Sequence, residues 1–500
     1  MKLRAPQVLG PLGLLALAGA LLLSAACKVG PNYQRPTAPV PAAYKEVPPP
    51  AGSTDASTWQ PAQPSDSAAR GKWWEIYHDP QLNALEEQVA VSNQNVLAAE
   101  AQFREARDAV LATRSALFPT VTTSPSLSWS RSSNTLTNSQ FTGQSTSSVT
   151  IYNLPFDATW QADLFGGIRR SVTSSENVAQ ASFAQLESAR LTFQAELAQD
   201  YFGLHGTDGE ERLLQDTVKS YQDYLQLTKD RFASGVASGA DVAQAQTQLE
   251  TARAQLIDYG VARAQFEHAI AVLTGKPPAA LTVPSAPNQA PPPPIPTGVP
   301  SALLQRRPDI AAAERQMASA NEQIGIAKSA FYPALTLNGG AGFETADFAK
   351  WFTWPSRFWS VGPQFAETLL DFGRRRAQAA GAQAAYDATV ANYRQTVLTA
   401  FQQVEDNLAA LRVLQNEAQA TDDAVRAARQ ALDISTYQYK AGTVDYLSVI
   451  TEQTILLQNQ VQEVNILTRR LAASVLLVEA LGGGWNASTV PGPNDLIHGK

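Results

Sequence analysis

The chain is written twice, and this limits its fold more than any other feature. The stretch "NQNVLAAEAQ" (93–102) lines up with "RPDIAAAERQ" (307–316), 214 residues on. At the same offset "SALFPTVT" (115–122) meets "SAFYPALT" (329–336). The offset then falls to about 207: "DLFGGIRR" (163–170) meets "LLDFGRRR" (369–376) with slight slippage, and "DRFASG" (230–235) meets "YQYKAG" (437–442). Finally "AVLTG" (271–275) meets "EALGG" (479–483). Order and spacing persist throughout, which marks an internal structural repeat. The reading is repeat 1 over 80–283, repeat 2 over 301–484 and a C-terminal tail over 485–500. The segment "PSAPNQAPPPPIPTGVP" (284–300) joins the repeats as a stiff, extended linker.

Each copy follows one plan. A helix of about 35 residues comes first, with Leu82, Val89, Val96, Phe103 and Val110 every seven positions and Leu85, Ala99 and Ala106 three after members of that series. Ile310, Met317 and Ile324, with Ala313, Ala320 and Ala327, repeat the register. This 3.5-residue period predicts left-handed coiling against neighbouring helices.

A hairpin follows, over 119–165 and 333–372. Val121, Thr123, Pro125, Leu127 and Trp129 alternate with Thr120, Thr122, Ser124, Ser126, Ser128 and Ser130. The return strand places Phe156, Ala158, Trp160, Ala162 and Leu164 on alternate positions. In the second copy Leu335, Leu337, Ala341 and Phe343 alternate with Thr336, Asn338, Gly340 and Glu344. One apolar and one small polar face suits a strand with lipid outside and water inside. A soluble sandwich edge has the same period. Trp129, Trp160, Trp351, Trp354 and Trp359 favour the membrane reading, as aromatic girdles at its two interfaces.

Then come long helices, Gly167 to Phe232 and Gly373 to Tyr439, rich in Ala, Gln, Glu and Leu. Only Gly203, Gly206 and Gly209 in the first and Gly381 in the second interrupt the pattern. Each ends in a glycine turn, where Gly235 and Gly442 suit left-handed C-caps and Asp241 and Ser448 suit the next N-caps. A shorter return helix completes each repeat.

Near the start, "LLLSAACKVGPNYQRP" holds Cys27, the only cysteine in 500 residues. Lys2 and Arg4, the apolar run Val8 to Leu23 and the small residues Ser24 to Ala26 form a cleavable export signal over 1–26. A cysteine directly after it resembles a bacterial lipoprotein processing site, at which Cys27 becomes the first residue and carries lipid. Ser24 stands where that pattern usually has Leu. Lys28, rather than Asp, points to the outer membrane by the same resemblance. The alternative is an ordinary signal with an incidental cysteine. Lipidated Cys27 would open an N-terminal segment over 27–79.

Acidic residues outnumber basic ones, 45 to 38, with no basic block, so nucleic acid is not an expected partner. One cysteine excludes an internal disulfide, and four scattered histidines offer no paired metal ligands. No later segment is apolar enough to span a bilayer as a helix, so any crossing must use closed β-structure.

Four strands cannot close a membrane barrel, because roughly eight is the lower limit. Two chains would give a filled eight-stranded barrel, and three a twelve-stranded one with an aqueous lumen. The expected product is a mixed α+β, mainly α homotrimer: a membrane β-barrel of four strands per chain, continuous with a coiled α-barrel beyond it.

The order of signals resembles the TolC-like outer-membrane efflux proteins, in particular the lipoprotein branch partnered with resistance–nodulation–division pumps. "CKVGPNYQRP" (27–36), "WWEIYHDPQL" (73–82), "RRPDIAAAE" (306–314), the paired "FP"/"YP" and "FG" signals, the glycine tips and "ALGGGW" (480–485) carry the resemblance. It implies a trimer with a periplasmic helical barrel and an equatorial belt built from the N-terminal segment, linker and tail. It also implies outer-membrane lipid around the barrel, no catalysis, no cofactor beyond a covalent lipid such as palmitate on Cys27, and a role in antibiotic resistance. Such proteins are exit ducts fed by an inner-membrane transporter through a periplasmic adaptor.

The family closes its duct at the glycine turns with polar links, and Asp241 and Tyr439 match that pattern. Val444, Ser448 and Thr451 stand where it has an arginine and two acids, and Asp445 could supply the missing charged ring. Asp241 equally suits a plain helix cap, and Asp445 a solvated loop acid. Gly235, Val236, Gly442, Thr443 and Val444 would meet the adaptor. An enzyme fits less well: "NGGAG" (338–342) lacks a following Lys-Ser/Thr, and nothing resembles a nucleophile–base set. A surface adhesin has no need of strands with one lipid-like face.

Overall fold

The computed structural model describes residues 28–46, 71–131, 148–288, 290–296 and 300–498. The export signal, Cys27, most of the segment before Gly71 and the turn of the first hairpin lie outside the described residues.

Repeat 1 comprises α1 (Pro80–Ser92), α2 (Gln94–Ser115), β1 (Thr120–Thr123), β2 (Ser126–Ser130), β3 (Val149–Ala162), α3 (Gly167–Ala233) and α4 (Gly239–Leu273). Repeat 2 comprises α5 (Pro308–Ser329), β4 (Ala334–Thr345), β5 (Arg357–Ala366), α6 (Arg374–Ala441) and α7 (Tyr446–Ala480), and α8 (Pro493–His498) closes the tail. The duplication holds residue for residue: α2 and α5 are both 22 residues long, and α4 and α7 both 35. At 67 and 68 residues, α3 and α6 each run roughly 100 Å at 1.5 Å per residue.

The single 35-residue opening helix is not observed; it breaks at Asn93. Asn93 is extended, its Oδ1 accepts from Asn95 N (2.9 Å) and Val96 N (3.2 Å), and its Nδ2 donates to Leu273 O (2.9 Å). Docking against the end of α4 thus replaces one helical turn with a side-chain cap, which heptad spacing cannot reveal. Arg307, 214 residues on, is extended before Pro308 and marks the same break. The heptad seam still survives, with Leu82, Val89, Val96, Val110, Ile310, Met317 and Ile324 all buried.

Both hairpins enter one antiparallel sheet in the order β1/β2, β3, β4, β5. β1 and β2 are two stretches of one strand: Thr123 pairs with Phe156 and Ser126 with Asn153 in unbroken register. Pro125 lies between them and has no N–H to offer the ladder. β3 pairs with β4 (Ala158 with Gly339) and β4 with β5 (Gly339 with Val361), so the two repeats join edge to edge.

α3 packs along α2, α4, α5 and α7, and α6 along α5 and α7. The main cores lie about midway along the long helices. One gathers Trp73, Trp74, Leu82, Tyr201 and Phe202; another gathers Tyr44, Ile310, Tyr393, Phe401 and Leu477. Gly203, Gly206 and Gly209 do not break α3. They let neighbours approach: a Cβ at Gly206 would lie 2.4 Å from Thr468 Oγ1 of α7, and one at Gly203 2.8 Å from the Phe266 ring of α4.

One turn of helix away, Asp208 is buried and ties the linker to this crossing. Its carboxylate accepts from Arg263 Nε (2.7 Å), His205 Nδ1 (3.0 Å) and Ala286 N (3.0 Å). Burial alone would raise its pKa, but these donors prevail and lower it to about 2. The N-terminal segment runs as a strap along repeat 2: Tyr33 Oη donates to Glu314 (2.7 Å), and the Glu405 carboxylate accepts from Lys45 N and Glu46 N (2.7 and 3.0 Å). The tail docks on α2 and α3, with Leu496 packed among Val110 and Ala179.

Two outcomes test this crossing. Gly206→Val forces α3 and α7 apart and costs about 1–3 kcal/mol in thermal unfolding, part of it recovered by Thr468→Ala. Asp208→Ala takes one ionic partner from Arg263, which keeps Glu267 and Val283 O, and costs about 2–3 kcal/mol at pH 7. Because the Asp208 pKa is lowered in the fold, the ionic part of this stabilisation is complete above about pH 5 and is lost as pH falls through about 2, which narrows the gap between mutant and parent.

Candidate functional site

The candidate residues lie at two ends of the molecule: the sheet, and the hairpin tips roughly 100 Å away along α3 and α6. At the tips the chain reverses twice by one device. Gly235 (φ 74°) follows α3, with Gly235 N donating to Phe232 O (2.9 Å) and Val236 N to Arg231 O (2.8 Å). Gly442 (φ 77°) follows α6, with Gly442 N donating to Tyr439 O and Thr443 N to Gln438 O, both at 3.0 Å. This double bond pattern closes a helix over a left-handed residue, a conformation that glycine adopts without strain. Val236 and Thr443 are exposed and Val444 is half-buried against the tip core.

The N-caps differ from the sequence expectation. Ser238 and Asp445 are the caps, and Asp241 and Ser448 stand three residues later. Ser238 and Asp241 form a reciprocal capping box: Asp241 N donates to Ser238 Oγ (3.2 Å), and Ser238 N donates to Asp241 Oδ2 (2.8 Å). Asp445 Oδ1 accepts from Ser448 N (3.1 Å) and Ser448 Oγ (2.7 Å), and these two bonds hold its carboxyl below the usual range. The residue preceding the first helical turn has its side chain free to reach back over it, which places each cap before the acid or serine that spacing suggested.

Tyr439 is buried, its hydroxyl has no hydrogen-bond partner among the described residues, and no bond joins it to Asp241. Its ring lies 5.3 Å from that of Tyr446 and 4.7 Å from the guanidinium of Arg231. Arg231 Nη1 also donates to Lys440 O (3.2 Å). Tyr221, Leu225, Leu249 and Val449 complete the cluster, and burial pushes the Tyr446 phenol well above its ordinary range. The sequence reading missed Arg231, because it lies outside the glycine turns and acts across 208 residues of chain.

At the other end the sheet has two chemically opposite faces. Cross-strand rows Val121–Ala158–Gly339–Val361 and Thr123–Phe156–Ala341–Trp359 alternate with Thr120–Thr159–Asn338–Gly362 and Thr122–Asp157–Gly340–Ser360. Val361 and Trp359 are 80% and 79% exposed, an apolar face with nothing from the chain itself covering it. Trp129, Trp351, Trp354 and Trp359 lie toward the outward end, while Trp160 Nε1 donates to Leu117 O (3.0 Å) at the helical end. No described helix is long and apolar enough to cross a membrane. Among the described residues no group of His, Cys, Asp and Glu could hold a metal ion.

The sequence profile of outer membrane efflux proteins matches residues 85–276 and 299–483. The chain belongs to the outer membrane efflux protein family. It is 30% identical, over 95% of this chain and 96% of the relative, to the probable efflux pump outer membrane protein TtgC of Pseudomonas putida. The antibiotic efflux pump outer membrane protein ArpC of Pseudomonas putida matches equally, at 30% over 95% of this chain and 96% of its own length. Among solved structures, the outer-membrane channel OprN superposes with a TM-score of 0.82 at 30% identity, covering 92% of this chain and all of its own. The Campylobacter jejuni outer membrane channel CmeC shares the fold, with a TM-score of 0.84 at 23% identity over 94% of this chain and 98% of its own. An outer membrane efflux protein is a transport duct and not an enzyme. It works as a trimer with pump partners, and its helical barrel extends into the periplasm.

The caps make the tips testable. Ser238→Ala removes the first-turn acceptor of α4 and costs that turn about 1 kcal/mol, read as faster amide exchange at residues 240–242. The Asp445 cap, with its lowered pKa, is at full strength above the ordinary carboxylate value. As pH falls through that lowered value, protection of the first-turn amides of α7, taken against their intrinsic rates at each pH, is lost.

Proposed function

We propose that this protein is the exit duct of a tripartite pump, in which an inner-membrane transporter of the resistance–nodulation–division type passes cargo through a periplasmic adaptor into the helical barrel. The observation that carries this reading is the sheet: one apolar face, one polar face and both edges unpaired, set on helices about 100 Å long. Relatives named for antibiotic, toluene and solvent efflux favour drugs or other small molecules as cargo. The exposed Val236 and Thr443 and the half-buried Val444 suit the ends of an adaptor's helices. Asp241, Tyr439 and Asp445 are the gate candidates, with Asp445 lining the axis once three copies assemble.

The repeat supports a definite closure. Within the chain β3 pairs with β4, α3 packs on α5, and Phe165 stacks on Tyr332 at 4.7 Å. Advanced by one repeat, β5 would pair with the open β1/β2 edge of a second copy and α6 would pack on that copy's α2. The matching surfaces are bare: α6 buries nothing before Tyr393, whereas α3 is buried from Arg170 onward. Phe372 and Phe118, the counterparts of Phe165 and Tyr332, are 101% and 59% exposed.

Lipidation of Cys27 has support from the strap. Val29 N donates to Phe165 O (3.1 Å), and buried Arg170 donates to Val29 O (2.6 Å) and Pro31 O (3.0 Å). These bonds hold the residues after Cys27 at the strand-to-helix junction, where the bilayer surface would lie and an acyl chain could enter it.

Oxidation of a Phe118→Cys/Phe372→Cys double variant should yield covalent trimers, and neither single variant should; a monomer band alone would defeat this closure. In planar bilayers Asp241→Ala and Tyr439→Ala should each raise single-channel conductance. Cys27→Ser should abolish the lipid mass increment of the mature chain.

A further inference from the structure

Where α3 leaves the sheet it meets α5 through a fitted junction. Arg170 is fully buried, and Gly325 of α5 makes room for it: a Cβ at Gly325 would lie 2.2 Å from Arg170 Cδ. Arg170 Nη1 donates to Glu322 (2.7 Å), while its Nε and Nη2 hold the strap at Val29 O and Pro31 O. The strap rests on the same glycine, since a Cβ at Gly30 would lie 2.6 Å from Gly325 Cα. One turn further along, Ser174 Oγ lies 2.8 Å from Ser319 Oγ and accepts from Gln323 Nε2 (3.0 Å).

The repeat offsets carry these contacts to the seam between chains. α6 is α3 advanced by 207 residues, and α2 is α5 set back by 214. Arg170 becomes Ala377, and Gly325 becomes Leu111 of the partner subunit. Ser174 becomes Gly381, and Ser319 becomes Glu105 of the partner subunit. At both positions α6 has lost bulk where α2 has gained it. Gly381 has no packing reason within its own chain: a glycine inside a helix is destabilising, and a Cβ there would meet no heavy atom within 4 Å. Ala377 is exposed in the single chain, and Leu111 is 43% exposed.

We infer that Ala377 and Gly381 form a socket for Leu111 and Glu105 of the partner subunit, and that this exchange of size distinguishes the seam between chains from the seam within one. Arg170 set against a leucine would overpack, and Ala377 set against Gly325 would leave a void, so neither helix accepts the other's partner. The strap is likewise confined to the seam within the chain. Leu111 of the partner subunit fills the space that Gly325 leaves to Arg170 and Gly30, and Ala377 has no side-chain donor for the strap carbonyls. One seam is closed by the chain's own N-terminal segment, the other by interlocking side chains. The inference rests on the trimeric closure proposed above and names what sets its register.

The test uses the full-length chain carrying the Phe118→Cys/Phe372→Cys pair, with covalent trimer after oxidation as the readout. Ala377→Arg and Gly381→Leu are each expected to lower trimer yield about fivefold. Leu111→Gly alone leaves a void and is expected to lower it about twofold. Added to Ala377→Arg, Leu111→Gly is expected to restore about half of the parent yield or more, because it rebuilds the fit found within the chain, with Asp108 of the partner subunit in the place of Glu322. Helix content by circular dichroism should not change, since Ala377 and Gly381 are open in the single chain. Unchanged yields in Ala377→Arg and Gly381→Leu, with the parent pair cross-linking, overturn the socket and leave the closure standing. Failure of Leu111→Gly to rescue Ala377→Arg overturns the pairing of those positions. No trimer from the cysteine pair in the otherwise unaltered chain overturns the closure and the socket with it.

Discussion

The unpaired edge of the membrane sheet is the constraint on which everything else depends. β1/β2 and β5 each present a row of N–H and C=O groups with no partner strand among the described residues. In water such an edge is a liability; in hydrocarbon it is untenable, because each unsatisfied group costs several kcal/mol. The apolar rows ending at Val361 and Trp359 commit this sheet to lipid. Association is therefore a condition of the fold rather than an addition to it. The bare first third of α6 belongs to the same requirement, since the helix continues directly from the β5 edge.

Duplication explains how one short design satisfies that requirement. The contact between repeat 1 and repeat 2 inside the chain is a template for the contact between chains. The two seams need not be equal, however, because duplicated halves diverge. Arg231 and Gln438, or Tyr224 and Ala431, occupy matching positions with different chemistry. The buried Asp208 network and the glycine-mediated crossing at Gly206 keep the middle of the tube rigid while the tips differ.

Much of this architecture was readable from the residues. Alternation at 120–130 and 334–344 found both hairpins, the heptad series found the seam residues, and Gly235 and Gly442 marked both tips. These signals are local, fixed by side-chain period or by the tolerance of one residue for positive φ. Two of the three misses were nonlocal. Asn93 breaks the first helix because the end of α4 docks there. Ser238 and Asp445, not Asp241 and Ser448, cap the return helices. Arg231 joins the tip cluster only through contact with a helix two hundred residues away.

The sequence by itself determined the repeat, the order of elements, which strand faces are apolar and where the helices reverse, since each is written in spacing that the backbone must obey. Tertiary structure alone decided that the two hairpins share one sheet, which polar side chains satisfy one another at the equator, and that Arg231 lies over the Tyr439 ring. Those outcomes depend on distances between segments far apart in the chain, and no local period encodes such distances.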